Sequence, residues 1–188
     1  MLKQNLILPV LAALVLLVDQ VSKRLVATYL DVGQSWDVTS WLAPIFSITH
    51  VTNTGAAFGL FPGLGGFFVV VAVVVVVAIV VYYLNLPDGQ AAVRAALGLQ
   101  LGGAIGNLID RLHQGFVVDF IDLNFWPLHN WPVFNLADTA IVAGVTILAV
   151  VMLWEEWRVY SAGQKADQVA SGGVRDSYTE PMHYLDHE

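Results

Sequence analysis

No cysteine occurs anywhere in the 188 residues. That absence removes disulfides, thiolate metal ligands and a cysteine nucleophile together, and with them any lipid attached to the chain's own cysteine. Charge is scarce too: 12% of residues are Asp, Glu, Lys or Arg, where a soluble domain carries about 25%. Lys and Arg are missing altogether from residues 31–63 and 113–133. The net charge of -7 is no uniform property, because seven of the fifteen acids fall between Glu155 and Glu188. It points to no nucleic-acid partner. Two catalytic signatures are also missing, Gly-x-Ser-x-Gly and His-Glu-x-x-His, which argues against an elbow-type serine hydrolase and a zinc peptidase. Ser22 and Lys23 are adjacent and so diverge on a helix, and His50, His113 and His129 have no metal-ligand spacing. Neither a metal nor a cofactor is expected.

Long apolar runs dominate what is present. Crossing the hydrocarbon core takes about 20 apolar residues as a helix, and windows at 6–30, 64–84, 91–112 and 134–154 meet that length. The second is a nearly unbroken valine run; valine forms helix poorly in water, but lipid forces backbone groups to pair within the segment. The third is the most polar, holding Arg94, Gln100, Asn107 and Asp110. Lys3 ahead of the apolar run at 6–18 resembles a signal peptide, yet no clear small-residue cleavage site follows and apolar character resumes after Arg24. The expectation is an all-α membrane protein of four transmembrane helices within residues 1–158, followed by a flexible, polar cytoplasmic tail at 159–188.

The loops carry further information. Residues 46–52 alternate bulky and β-branched side chains in the manner of a strand, so the loop 31–63 is expected to form a small β-structure at the membrane surface. Leu86-Pro87-Asp88-Gly89 reads as a turn between antiparallel neighbours. Basic residues mark the cytoplasmic side; Lys3, Arg94, Arg158, Lys165 and Arg175 agree on one side, which puts both termini in the cytoplasm. Lys23, Arg24 and Arg111 lie toward the opposite ends of their helices, where long side chains snorkel or pair.

With that topology, and a rise of about 1.5 Å per residue, the unusual polar residues gather at one level. Asp19 and Lys23 lie in the outer half of the first span, Asn107, Asp110 and Arg111 at the outer end of the third, and Asn135 and Asp138 at the start of the fourth, with Asp119 in the loop between the last two. Intramembrane ionisable groups are costly and are functional candidates by default. Asp19 and Lys23, four apart, are equally readable as a helix salt bridge. Gly98, Gly102 and Gly106 form a small-residue ridge suited to close helix packing. The chemistry left open is that of paired carboxylates sharing one proton, one activating water while the other polarises a peptide carbonyl. Asp110, Asp119, Asp122 and Asp138 all remain candidates: Asp119 could instead cap a turn and Asp138 its helix, Asp110 could pair with a nearby arginine and Asp122 could be an exposed loop acid, and spacing does not choose among them.

Five blocks then match a known family in order: Asp19-Gln20-Val21-Ser22-Lys23, Asn53-Thr54-Gly55-Ala56-Ala57-Phe58-Gly59, Gly106-Asn107-Leu108-Ile109-Asp110-Arg111, Val117-Val118-Asp119-Phe120 and Phe134-Asn135-Leu136-Ala137-Asp138-Thr139. Together they resemble lipoprotein signal peptidase, or signal peptidase II, over residues 19 to about 140. One small departure is Trp131 before Pro132, where phenylalanine is more usual. The resemblance implies a bacterial inner-membrane aspartic endopeptidase that cuts prolipoproteins before a diacylglyceryl-modified cysteine, within membrane lipid, and is inhibited by the macrocycle globomycin. It also implies four helices with a small extracytoplasmic β-cradle and surface helix. By the same carry-over Asp119 and Asp138 are the catalytic dyad, and Asp19, Lys23, Asn53, Gly55, Asn107, Arg111 and Asn135 support or line the site. The segment around Asn53 is expected to clamp substrate backbone.

The rival class is a non-enzymatic membrane protein, a small transporter or assembly factor. An ion path needs polar groups through the full membrane depth, whereas the inner halves of the second and fourth spans are almost wholly apolar. A different aspartic membrane protease would carry both acids well inside helices.

Overall fold

The computed structural model describes residues 6–55 and 65–176, with side chains through residue 164. Two compact units are present, Met1–Leu148 and a second beginning at Ala149. In chain order the elements are α1 (Ile7–Tyr29), β1 (Ser35–Trp36), β2 (Phe46–Asn53), α2 (Gly65–Leu84), α3 (Ala91–Gln114), β3 (Val117–Leu123), a 3-10 turn (Leu128–Asn130) and α4 (Leu136–Asp176). Helix therefore covers each of the four apolar windows. Of the described residues, three stretches are long and apolar enough to cross a membrane: Gly65–Leu84, Ala91–Gln114 and Leu136–Gln164. The remaining helix, α1, has 23 residues and carries Asp19, Lys23 and Arg24. Helix α4 continues into the segment read from sequence as a tail, and residues 177–188 of that tail lie outside the described residues.

Helix α3 is the hub of the first unit, and its glycines explain how. A Cβ added at Gly98 would stand 2.9 Å from the Leu8 carbonyl oxygen, and one at Gly102 2.6 Å from that of Ala12. Each distance is shorter than real Cβ contacts allow, so only glycine lets α1 approach this closely. Gly103, one position further round, instead faces Ala137 and Ile141 of α4. Three helices thus meet through residues that have no side chain. At its outer end α3 stops at Gly115, whose φ of +80° takes the left-handed conformation that suits glycine, and whose N–H returns to the Arg111 carbonyl. The turn between α2 and α3 is secured from within: Arg94, buried, donates to the Leu86 and Pro87 carbonyls at 3.1 Å and lies over the Tyr83 ring.

The strands form one antiparallel sheet in the order β1-β2-β3. Strand β2 occupies the segment that alternation marks in the sequence. Strand β3 does not have such a history: residues 113–133 read as a loop, yet Val117–Leu123 pairs along β2, Phe46 opposite Leu123 and Asn53 opposite Val117. Val117, Val118 and Phe120 are buried, with Val118 and Phe120 packing on Val26 of α1. Between Ile48 and Val51 the register shifts, so that β2 carries one extra residue against β3. Such a bulge re-aims the side chains beyond it. No helix lies between residues 31 and 55; residues 56–63, the rest of the loop assigned a surface helix, are outside the described residues.

Candidate active site

The polar residues that share a level in the sequence meet as one hydrogen-bonded network. It begins at Lys23, only 3% exposed. Its ammonium is 2.8 Å from Asp19 Oδ2 and 2.9 Å from Asp110 Oδ2, and it donates at 2.9 Å to Asn107 Oδ1. The Asp19–Lys23 pair is therefore a salt bridge, and it also reaches two other helices: Asp19 Oδ1 accepts from the Ala137 N–H in the first turn of α4 at 2.9 Å. Gly106 makes room for this, since a Cβ there would stand 2.5 Å from Asp19 Oδ2. Gln20, unremarked in the sequence apart from its motif, donates to Asp110 Oδ1 at 3.0 Å and to the Gly106 carbonyl.

From Asn107 the network runs outward. With its oxygen held by Lys23, Asn107 presents Nδ2 to Asp138 Oδ1 at 2.7 Å. Asn135 also donates to Asn107 Oδ1, at 3.2 Å, and its Nδ2 donates to Asp119 Oδ1 at 2.7 Å. Its own Oδ1 accepts from the Asp138 N–H at 2.9 Å, while the Asn135 N–H donates to Asp138 Oδ2 at 3.3 Å. This reciprocal exchange is a capping box in asparagine and aspartate at the start of α4. Asp138 thus caps its helix and faces the site at once.

Asp119 is supplied from the sheet. The bulge in β2 sets Val51 opposite Asp119 and Asn53 opposite Val117, so Asn53 and Asp119 share a sheet face; without the extra residue they would fall on opposite faces. Asn53 Nδ2 then donates to Asp119 Oδ2 at 3.0 Å, and Asn53 Oδ1 accepts from the Gly55 N–H at 3.0 Å. Arg111 donates to the Gly55 carbonyl at 3.2 Å and lies over the Phe68 ring. Burial first, and the neighbouring Asp138 charge second, push the Asp119 carboxyl up to about 6, against the amide donors from Asn53 and Asn135. A cleft of about 180 Å³ opens onto Asp119, lined by Val51 to Gly55 on one side and Pro132 and Val133 on the other.

The nine residues that the family resemblance assigns to the site are all joined in this network. The four candidate aspartates now differ in setting. Asp110 faces Lys23 and Gln20, and Asp122 accepts from Thr49 Oγ1 at 2.7 Å on the sheet, whereas Asp119 and Asp138 are linked through Asn135, and the side-chain carboxylates of both accept from neutral amides.

A family model described as signal peptidase (SPase) II matches residues 11–154. The chain belongs to the signal peptidase II family. Lipoprotein signal peptidase from Moorella thermoacetica is 47% identical over 143 residues, covering 76% of this chain and 90% of its relative. The Geobacter sulfurreducens lipoprotein signal peptidase is 45% identical over 152 residues, covering 79% and 91%. A solved structure of a bacterial membrane enzyme aligns with a TM-score of 0.70 at 33% identity, over 78% of this chain and 87% of the other. This signal peptidase II is accordingly a membrane peptidase, and the polar network lies wholly inside the part of the chain that the family model matches.

Proposed function

We propose that the chain is an aspartic endopeptidase that removes the signal peptide from diacylglyceryl-modified prolipoproteins, with Asp119 and Asp138 as its catalytic pair. The observation that carries this reading is the shared amide tether: Asn135 donates to Asp119 and exchanges hydrogen bonds with Asp138, holding two carboxylates in one network, with Asp119 lining a cleft. Two such acids titrate as a pair and keep one proton between them at intermediate pH. The ionised member takes a proton from water as the water attacks the scissile carbonyl. The protonated member donates to the carbonyl oxygen; as the tetrahedral intermediate collapses it takes that proton back, while the first member passes the proton it took from water to the departing amine.

In this reading α1 is the fourth membrane crossing, its buried charges neutralised by each other, and both termini are on the cytoplasmic side of the bacterial inner membrane. The site then sits at the extracytoplasmic interface, where a lipid-anchored precursor holds its cleavage point. Beyond His50 strand β1 no longer covers β2, and the cleft runs along Val51 to Gly55, a length of backbone suited to an extended substrate. Asn53 has both ends of its amide engaged, so its part is to orient Asp119 while the strand holds the peptide. A globomycin-type inhibitor would compete for the same cleft.

Purified protein should cut a diacylglyceryl-modified prolipoprotein immediately before the modified cysteine and leave the unmodified precursor intact, as mass spectrometry of the products will show. Equal cleavage of both precursors, or of neither, removes the reading.

Asn53→Ala supplies a second test. Asn53 donates to Asp119 and so favours its ionised form; without that donor the Asp119 pKa rises from about 6. The limb of the kcat/KM profile governed by Asp119 should therefore move to higher pH in the variant. A limb that stays in place, or moves down, uncouples Asn53 from Asp119.

A further inference from the structure

The end of the sheet farthest from the network presents large apolar side chains that no described part of the chain covers. From Asn53 to Phe46 strand β2 extends about 23 Å at ~3.3 Å per residue, and beyond Phe46 lie two loops. Asn124 binds them together: its N–H donates to the Ile45 carbonyl at 2.9 Å, and its Nδ2 to the Ala43 carbonyl and to Ser47 Oγ at 3.0 Å. Trp41 on one loop is 71% exposed and Trp126 on the other 82%. A soluble protein surface rarely leaves two tryptophans bare at one tip, and uncovered apolar groups of this size mark a contact.

Three observations identify the contact as lipid. The exposed side chains continue those of a helix read as crossing the bilayer, passing from Leu25 and Tyr29 on α1 through Val32 and Trp36 to Trp41. An apolar cleft of about 480 Å³ between Tyr29, Trp36 and Phe120 opens along the same strip. The loop that carries Trp41 closes its own backbone bonds, from the N–H groups of Leu42, Ala43, Ile45 and Phe46 to the carbonyls of Thr39 and Leu42, so it can enter a less polar medium without stranding those amides. Asp31 and Asp37, both exposed, keep the strip at headgroup depth, because carboxylates are expelled from hydrocarbon. Tryptophan, with an apolar body and one N–H donor, is the residue type that collects at this level. Neither loop contains Lys or Arg, so the attraction needs no anionic lipid.

We propose that the distal tip of the sheet is a second membrane anchor, in which Trp41 and Trp126 insert into the headgroup region of the leaflet facing the site, so that the sheet lies along the bilayer. The anchor rests on the membrane-spanning reading above. It gives the cleft a fixed height: β2 is tied to α1 at His50, whose Nδ1 is 2.8 Å from the Leu30 carbonyl oxygen, and to the lipid surface at its other end, with Asn53 to Gly55 just beyond the fixed segment.

The lack of cysteine makes a direct test possible. Trp41→Cys and Trp126→Cys, made singly in the full chain, give one attachment point each for a nitroxide, and Asp88→Cys in the exposed α2–α3 turn serves as the aqueous reference. In phosphatidylcholine vesicles, the ratio of oxygen to nickel-chelate collision rates at positions 41 and 126 should exceed that at position 88 several-fold. A ratio equal to that of the reference places the tip in water and overturns the proposal. Protection from both reagents, which signals cover by protein or a second copy of the chain, overturns it equally. The readout does not involve cleavage, so an inactive protein with lipid-exposed labels separates failure of the catalytic reading from failure of the anchor.

Discussion

Asp119→Asn and Asp138→Asn are each expected to slow cleavage of a diacylglyceryl-modified prolipoprotein by about 10³-fold, the scale of losing a positioned acid or base. An amide can neither take the proton of the attacking water nor release one to the departing amine. At position 119 it also disturbs the tether. The carboxylate there accepts from Asn53 on one oxygen and Asn135 on the other, and an asparagine must turn an NH₂ group toward one of these donors. Asp122→Asn is the matching control, since Asp122 accepts from Thr49 on the sheet; its cleavage rate should stay within about two-fold of wild type, as for other substitutions away from buried networks. Rates measured with the same purified substrate, beside melting curves to show that each variant is folded, decide the matter. Near-normal cleavage by either the Asp119 or the Asp138 variant would dissolve the pair.

The depth argument that gathers Asp19, Lys23, Asn107, Asn135 and Asp138 succeeds because hydrocarbon leaves few options for polar groups: helical rise alone brings them to one level. What linear spacing cannot show is the wiring between elements. Gly98, Gly102 and Gly106 stand out by their four-residue period, which marks the face toward α1; Gly103 breaks that period because it serves a different neighbour, α4. Strand β3 escapes notice because Val117, Val118, Asp119 and Phe120 are all buried, so the two-residue alternation that betrays β2 is absent. The placing of Asn53 beside Asp119 depends on a bulge, and a single inserted residue has no signature in composition. The ordered motifs do carry the family resemblance, and with it the choice of two aspartates from four, which spacing leaves open. Gln20 shows the limit of motif reading: it sits inside a matched block, but its hold on Asp110 is visible only in three dimensions.

Lys23→Met is expected to destabilise the fold by about 3–5 kcal/mol, the cost of breaking a buried ion pair from one side. Three acceptors surround the ammonium at 2.8–2.9 Å, Asp19, Asp110 and Asn107, and lysine has three N–H donors to give. One cation between two carboxylates leaves an excess negative charge. The start of α4 meets it, because the Ala137 N–H points at Asp19 and a helix N-terminus is electropositive. Methionine fills nearly the same volume yet strands two buried carboxylates, so the loss is one of charge balance and not of packing. The triple variant Asp19→Asn/Lys23→Met/Asp110→Asn separates the two causes: with no charge left to strand, it should recover most of the lost stability in denaturant titrations of detergent-solubilised protein. Its cleavage should not recover in step. Without the ammonium, Asn107 Oδ1 keeps only the longer bond from Asn135, at 3.2 Å, and the amide turns its NH₂ away from Asp138 more readily. A triple variant as unstable as Lys23→Met would mean that the lysine stem, and not its charge, supports the three helices.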